Sequence, residues 1–390
     1  MLTRLHLKFL APGLALLVIL VFFLLLSDQH FRLPAAATAS LCKGINGNPT
    51  SSSHETDTSP FPSSDREYTY IPNQAHFVYV LADPTSDFGL HFSHYLSIYA
   101  AWRHWKPEKI YLHTNAHASS IDRATNGTSG KWDNLIFNMP GLEVRHADVP
   151  THANNGKAIQ GLEHKSDFVR VEAVRELGGV YIDWDVHALR DVRVLRESGF
   201  RAVAGRQLGG QVNSGVFMSV AGGKLMTLWQ TGMHERYTGG WTTHSNEVIT
   251  KYAERLVAEP GEALIMEREA FAPGSWNGED NDMLFAVHGD APSNLANVTQ
   301  GDALPAFDEG FADRWERPGE FPEWERDWSR SYLLHAFNPD RFGHKVKGFD
   351  HITPRYVLER RSNFARAVYP IARELYNEGL IEIDDSYLGV

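Results

Sequence analysis

The chain has 390 residues, 37 of them basic and 48 acidic, for a formal net charge of -11 at pH 7. That acidic balance argues against nucleic acid as a main partner, because a phosphate backbone wants a basic face. With 43% hydrophobic and 12% aromatic residues, there is apolar material for one large or two modest cores.

Residues 1–8 form a short tail carrying Arg4, His6 and Lys8. Phe9 to Leu26 then reads FLAPGLALLVILVFFLLL, 18 residues without a charge. At a rise of about 1.5 Å per residue this nearly spans a hydrocarbon core of about 30 Å. The basic flank holds the tail in the cytoplasm and sends the C-terminal bulk to the lumen, as in a single-pass type II protein. A cleaved signal peptide is the alternative. Its apolar run is ordinarily about 7–15 residues, and Ala35-Ala36-Ala37-Thr38-Ala39 offers small-residue cleavage sites. Both readings put the rest of the chain on the same side of the membrane, and the short anchor suggests the Golgi among secretory membranes. Residues 27–69 are rich in Ser, Thr, Pro, Ala and Asn and read as a flexible stem. Cys42 is the single cysteine, which excludes an intrachain disulfide and leaves a bridge between two chains as a route to a dimer. Asn126-Gly127-Thr128 and Asn297-Val298-Thr299 are N-glycosylation sequons, whereas Asn48-Pro49-Thr50 is excluded by its proline.

From Tyr70 to the C-terminus the texture is globular, and residues 70–390 read as one catalytic domain. Ala75 to Leu81 is a short apolar run, a buried strand. Phe88 to Trp105 has helical spacing, and Lys109 to Thr114 is a second strand. The stretch up to Gly130 reads as loop, and Gly141 to His146 as a weak strand. Ser166 to Leu177 is the clearest helix, with Phe168, Val171, Val174 and Leu177 on one face, Ser166 or Asp167 as its cap and Gly178-Gly179 as its stop. Val180 to Asp183 is a strand that ends in carboxylates. Arg201–Gly205, Gly215–Val220 and Ala263–Glu267 read as strands, and Gly223–His234 and His244–Val257 as helices. Gly274 to Arg330 yields no assignment. Strands alternating with helices point to an α/β class with a largely parallel sheet, whose ligands sit beyond the carboxyl ends of the strands.

The chemistry concentrates at Asp183 and Asp185. Two residues apart on extended chain, both carboxylates face one side. Magnesium or manganese prefers such oxygen ligands and leaves positions open for substrate phosphates. A bare D-x-D is common by chance and reads equally as a solvated acidic turn. The capped helix, double glycine and apolar strand before it make the signal compound.

The segment Ser166 to Asp185 resembles the DXD-containing sugar-binding region of glycosyltransferase family 32, whose pattern runs roughly S-D-x-x-R-x-x-x-L-x-x-x-G-G-x-Y-x-D-x-D. Ser166, Asp167, Arg170, Gly178, Gly179, Tyr181, Asp183 and Asp185 match it, and Val174 stands at the Leu position. Ile71 to Phe77 is similar to the family's opening I-P-K-x-I-H strand, Asn213 to Met218 resembles its asparagine-led strand, and His335 its late histidine, without the usual tryptophan nearby. The resemblance implies a Rossmann-like GT-A fold with the D-x-D at its edge. It also implies manganese dependence (magnesium as the alternative), a UDP- or GDP-linked donor sugar, and retention of anomeric configuration. On this resemblance Asp183 and Asp185 are the catalytic pair and, with His335, the metal ligands. Asp167, Arg170, Tyr181, Asp183, Asn213, Phe77 and Val78 contact the donor. Arg170 suits this physically, since a guanidinium offers forked donors to oxyanions, although an i,i+3 pair with Asp167 is its ordinary alternative. Trp241 and His244 are candidates for the acceptor, a glycan or glycolipid, because aromatic faces suit sugars.

Three other classes compete. Ile182 to Val186 is similar to the D-x-D-x-[TV] motif of haloacid-dehalogenase-type phosphohydrolases, with Asp183 as nucleophile, but His187 replaces the Thr or Val. A two-carboxylate glycosidase usually draws its pair from separate elements. A sugar-binding relative without catalysis needs no intact D-x-D.

Overall fold

The computed structural model describes residues 70–299, 301–306, 319, 321–337, 339 and 343–389. The anchor at 9–26, the stem and Cys42 lie outside the described residues. Among the described residues no helix is long and apolar enough to cross a membrane.

The elements in chain order are β1 (Gln74–Val78), α1 (Phe92–Trp105), β2 (Lys109–Thr114), α2 (Ala118–Asn126), α3 (Lys131–Phe137), β3 (Leu142–His146), α4 (Leu162–Leu177), β4 (Gly179–Ile182), β5 (Val186–Ala188), α5 (Arg193–Arg196), β6 (Ala202–Arg206) and β7 (Val212–Ser219). Then come α6 (Lys224–Arg236), α7 (Asn246–Leu256), β8 (Ala263–Met266), α8 (Arg268–Phe271), α9 (Gly278–Phe285), β9 (Leu333–His335), α10 (Pro354–Leu358) and α11 (Asn363–Asn377). Seven strands form one sheet in the order β3-β2-β1-β4-β7-β6-β8. Only β7 runs against the others. β5 and β9 pair as a separate antiparallel ribbon, Val186 opposite His335. The molecule is therefore mixed α/β with a parallel-dominated sheet, as the alternating pattern predicts.

Burial explains the strand sequences. β4 and β7 are buried along their whole length, so they read as continuous apolar runs rather than alternating ones. One core lies on the α1, α9 and α11 side of the sheet, around Phe77, Phe92, Trp132, Phe285 and Phe364. The other lies between the sheet and α4, α6 and α7, around Phe168, Val174, Phe217, Trp229 and Ile249.

Two readings of local structure change. The expected loop before Gly130 holds α2, a short helix whose only buried residues are the small Ser120 and Ala124, so it carries little apolar signal. Helix α4 begins at Leu162, not Ser166, with Gly161 before it. Its first turn is polar and gives no apolar period, so the start is invisible to pattern. Asp167 is consequently inside the helix and caps nothing. The strand expected over Ala75–Leu81 closes at Val78, and the unassigned stretch from Gly274 contains α9.

The centre of the sheet is pinned by polar bonds. His76 on β1 donates from Nε2 to the Gly178 carbonyl at 2.7 Å and accepts at Nδ1 from His113 Nε2 at 3.0 Å. Gly179 has φ +108, and a Cβ there would lie 2.7 Å from the Gln74 carbonyl oxygen and 2.9 Å from His76 Nε2. The double glycine thus lets β4 lie close against β1. Gly179→Ala is expected to cost at least about 2 kcal/mol of stability, through clash and a left-handed backbone together, read as a lower denaturant midpoint.

Burial, with His113 as second cause, pushes the His76 imidazole down to about 3. Burial likewise pushes His113 and His104 down to about 4. These groups stay neutral in the fold and take protons near 6.5 once unfolded, so their contribution to stability is present above about pH 6.5 and is lost as pH falls toward 4. The melting temperature is expected to drop progressively below pH 6.5. A flat profile down to pH 4 would contradict it.

Candidate functional site

β4 is the fourth of the seven sheet strands, and its carboxyl end delivers the D-x-D. On one side of β1 the chain continues to β2 and β3, and on the other lies β4. The strand order therefore reverses between β1 and β4, where open α/β sheets bind ligands. The indole of Trp184 bridges that point, its Nε1 donating to the Val78 carbonyl at 2.8 Å. The turn is held on both flanks. Asp183 N donates to the Gly215 carbonyl of β7 at 2.9 Å, and Ala336 N donates to the Asp185 carbonyl at 2.9 Å. A cleft of about 1050 Å³ opens above these strand ends.

Asp183, Asp185 and His335 each present one ligand atom into this cleft, all within 4.8 Å of one another. His335 arrives on β9 because β5 continues directly from the D-x-D and pairs with it. Its Nε2 lies 3.3 Å from Asp185 Oδ1. Burial works to raise the Asp185 carboxyl, but the electrostatic and hydrogen-bond interaction with His335 outweighs it and leaves it below the usual carboxylate range. Asn213 fixes the imidazole from behind: its Oδ1 takes the Gly215 N–H at 2.6 Å, so its amide nitrogen faces Gln207 Oε1 at 2.8 Å and His335 Nδ1 at 3.1 Å. Gly215 closes the floor. A Cβ there would meet Asp183 Oδ2 at 2.5 Å and His335 Cε1 at 2.7 Å.

Behind the carboxylates sits a buried ionic chain. Arg170 is 7% exposed. It donates from one terminal nitrogen to Asp183 Oδ1 at 2.8 Å and to the Ser214 carbonyl at 3.0 Å, and from the other to Asp167 Oδ1. Its guanidinium also lies over the Tyr181 ring at 5.1 Å. Tyr181 donates to the same Asp183 oxygen at 2.5 Å, and its phenol is pushed far up by burial and by Asp183. The second Asp167 oxygen accepts from His244 Nε2 at 2.7 Å. Burial and Arg170 push that imidazole down to about 4, so it is a neutral donor at pH 7. Three carboxylates here face one guanidinium, a deficit that a divalent cation balances. Hard oxygen donors with one imidazole suit manganese or magnesium, so the residues present fit such an ion.

The remaining expectations sort by position. Asp167, Arg170, Tyr181, Asn213 and Val78 line the cleft, and so does Trp241, which is 51% exposed. Phe77 does not: it is wholly buried against Trp184, ring centroids 4.7 Å apart, because side chains alternate and its face is the core. His244 is also a correction. It is fully buried and orients Asp167 rather than meeting an acceptor. Both sequon asparagines, Asn126 and Asn297, are at the surface. The phosphohydrolase motif belongs on a first strand, whereas Asp183 follows the fourth in chain order. Sequence reasoning missed Gln207, Trp276 and Phe337. Phe337 stacks on His335 at 3.8 Å from a left-handed backbone, φ 54, a strain of the kind that collects at functional sites. Its place two residues after His335 was the only signal.

Residues 94–201 match the family described as the glycosyltransferase sugar-binding region containing the DXD motif, a span that includes Ser166 to Asp185. The glucan organizing enzyme 1 of Cryptococcus neoformans var. grubii serotype A is 25% identical over 222 residues, 54% of this chain and 56% of that protein. The chain thus spans just over half the length of this curated relative. Among solved structures, the WbbM bifunctional glycosyltransferase in its apo form is 11% identical over 82% of this chain and 52% of that one, TM-score 0.40. The apo-form glycosyltransferase GlyE of Streptococcus pneumoniae is 12% identical over 79% of this chain and 64% of that one, TM-score 0.39. Structural likeness at that level supports no assignment of donor, acceptor or mechanism.

Gly215→Ala should lower manganese affinity at least about 10-fold, as loss of supporting geometry does, with the melting temperature within a few degrees of wild type. Equal manganese affinity in the variant would show that Asp183 and His335 need not converge there.

Proposed function

We propose that this chain, a glycosyltransferase carrying the DXD-containing sugar-binding region, moves a hexose or N-acetylhexosamine from a UDP- or GDP-linked donor to a glycan or glycolipid hydroxyl. The proposal includes a GT-A fold, metal dependence, retention of configuration, and work in the Golgi or another secretory lumen on a type II anchor. The observation that carries it is the convergence of Asp183, Asp185 and His335, ligand atoms within 4.8 Å, at the reversal of strand order in a large cleft.

Asp183, Asp185 and His335 would hold the ion, manganese or magnesium. When bound, it supplies positive charge against the donor pyrophosphate and the departing nucleoside diphosphate. The chain's own groups do the rest. Arg170 and Tyr181 both donate to Asp183 Oδ1, which leaves Oδ2 facing the cleft. Asp167 is gripped by His244 on one oxygen and Arg170 on the other, so this pair meets a sugar as a rigid polar edge at little cost in ordering. Ser214 is held by Asn246, Oγ to Oδ1 at 2.8 Å, and extends that edge. The exposed Trp241 ring offers an apolar face for a sugar ring at the mouth. Asn213 keeps the Nε2 proton of His335 directed at Asp185. Were Nε2 to hold the ion, the ring proton would sit on Nδ1 instead, and the Asn213 amide would have to turn its oxygen toward it.

The test is a panel of nucleotide sugars, assayed for hydrolysis and transfer with and without manganese. Asp185→Asn should cut turnover at least about 100-fold with unchanged melting. Wild-type turnover in this variant, or full activity in chelator, would remove the mechanism. Asn213→Ala should weaken manganese binding about 10- to 100-fold, the effect typical of a group that orients a ligand; undiminished binding would place His335 outside the metal set.

A further inference from the structure

We propose that Phe337 is a positioning residue of this site: a left-handed backbone lays its ring flat on His335, fixes the plane of that imidazole and stabilises it when it holds a cation. The inference rests on the metal reading above and extends it to a residue outside the ligand set.

The backbone is the first observation. β9 ends at His335, and Ala336 N donates to the Asp185 carbonyl at 2.9 Å. On extended chain the side chains of residues 335 and 337 would share a face about 6.6 Å apart, two steps of about 3.3 Å. Phe337 has φ 54 instead. Among the described residues, the other non-glycine positions with positive φ are Lys106 and Arg360. Lys106 caps the end of α1 and Arg360 follows the cap of α10, an ordinary place for a left-handed residue. Phe337 follows a strand and ends no helix. A bulky side chain is an outlier there, because its Cβ crowds the following carbonyl. Glycine takes such backbone at Gly178 and Gly179 beside the same site, yet at 337 the chain keeps a ring.

The contact that this turn creates is the second observation. The phenyl and imidazole centroids lie 3.8 Å apart, with planes at 10°. Neutral aromatic pairs prefer offset or edge-on arrangements with centroids about 4.5–7 Å apart. Rings almost squarely superposed suit a pair in which one is electron-poor. An imidazole that gives a lone pair to a divalent cation is such a ring, and the face of a benzene ring is its negative partner.

The enclosure of His335 is then complete on three sides. The Asn213 amide nitrogen meets Nδ1 at 3.1 Å, Gly215 faces Cε1 with no room for a Cβ, and Phe337 covers one face. Trp276 meets Phe337 edge-on at 5.7 Å and 76°, and both line the cleft. An imidazole held at its back, its edge and its face keeps Nε2 near Asp185, 3.3 Å from Oδ1. Burial alone would be served by any apolar side chain of this size. The stack and the strained backbone would not.

The test uses the full chain and titrates manganese by calorimetry, with the electron spin echo of the bound ion read for the nitrogen of a coordinated imidazole. Phe337→Leu keeps apolar bulk without a ring, and Phe337→Gly also frees the backbone. Both should weaken manganese binding about 10-fold or more, as loss of a ligand-orienting group does, and diminish the nitrogen modulation. Phe337→Tyr keeps the ring and should match wild type in both. Wild-type affinity and modulation in Phe337→Leu or Phe337→Gly, or an equal loss in Phe337→Tyr, would overturn the role of the ring. The metal reading would still stand if His335→Ala abolished the modulation. A wild-type chain whose bound manganese shows no nitrogen modulation, with unchanged affinity in His335→Ala, would overturn both.

Discussion

The buried guanidinium of Arg170 is the interaction on which the cleft depends. It ties the middle of α4 to the end of the central strand by bonding Asp167, Asp183 and the Ser214 carbonyl at once. Taking these charges out of water costs several kcal/mol each. The chain offsets that with close hydrogen bonds from both terminal nitrogens of Arg170, while its Nε stays unpartnered, and with one to Asp167 from the neutral His244. What the arrangement secures is position more than stability: carboxylates that would drift on a surface turn are held at fixed angles over the strand ends.

The rest of the site is organised around the same point. Helix α4 passes directly into β4 at the double glycine, where Gly179 lets β4 lie close against β1. β7 returns antiparallel beside β4, and so Gly215 faces Asp183 and Asn213 stands behind His335. The β5–β9 ribbon carries His335 back from far along the chain. Small residues, a reversed strand and a short ribbon together bring one donor atom each of Asp183, Asp185 and His335 within 4.8 Å of one another.

Electrostatically the cleft is divided. Its ionic half has more negative than positive groups, and its aromatic half includes His91 and His94, whose imidazoles burial keeps neutral. Asp183 and Asp185 are neighbours on one turn after the fourth strand, an arrangement unlike the first-strand motif of a phosphohydrolase or the separate elements of a paired-carboxylate glycosidase.

Local sequence determined much. The apolar runs of β1, β2 and β4, the period of α4, the Gly178-Gly179 stop and the Asp183–Asp185 spacing are all consequences of near-neighbour chemistry, and they are legible because pattern and stereochemistry act within a few residues. The parallel class followed from strand and helix alternation. What only the tertiary structure decided is what packing decides. Asp167 reads as a cap but is buried inside a longer helix, and His244 reads as the start of a helix facing an acceptor but is its buried partner 77 positions away. Phe77 and Val78 differ in facing core and cleft by a single step of the pleat. Tyr387 stacks on both His91 and His351, and this leaves no trace in any short window, because stacking is set by where chain ends meet in space and not by their order along the chain.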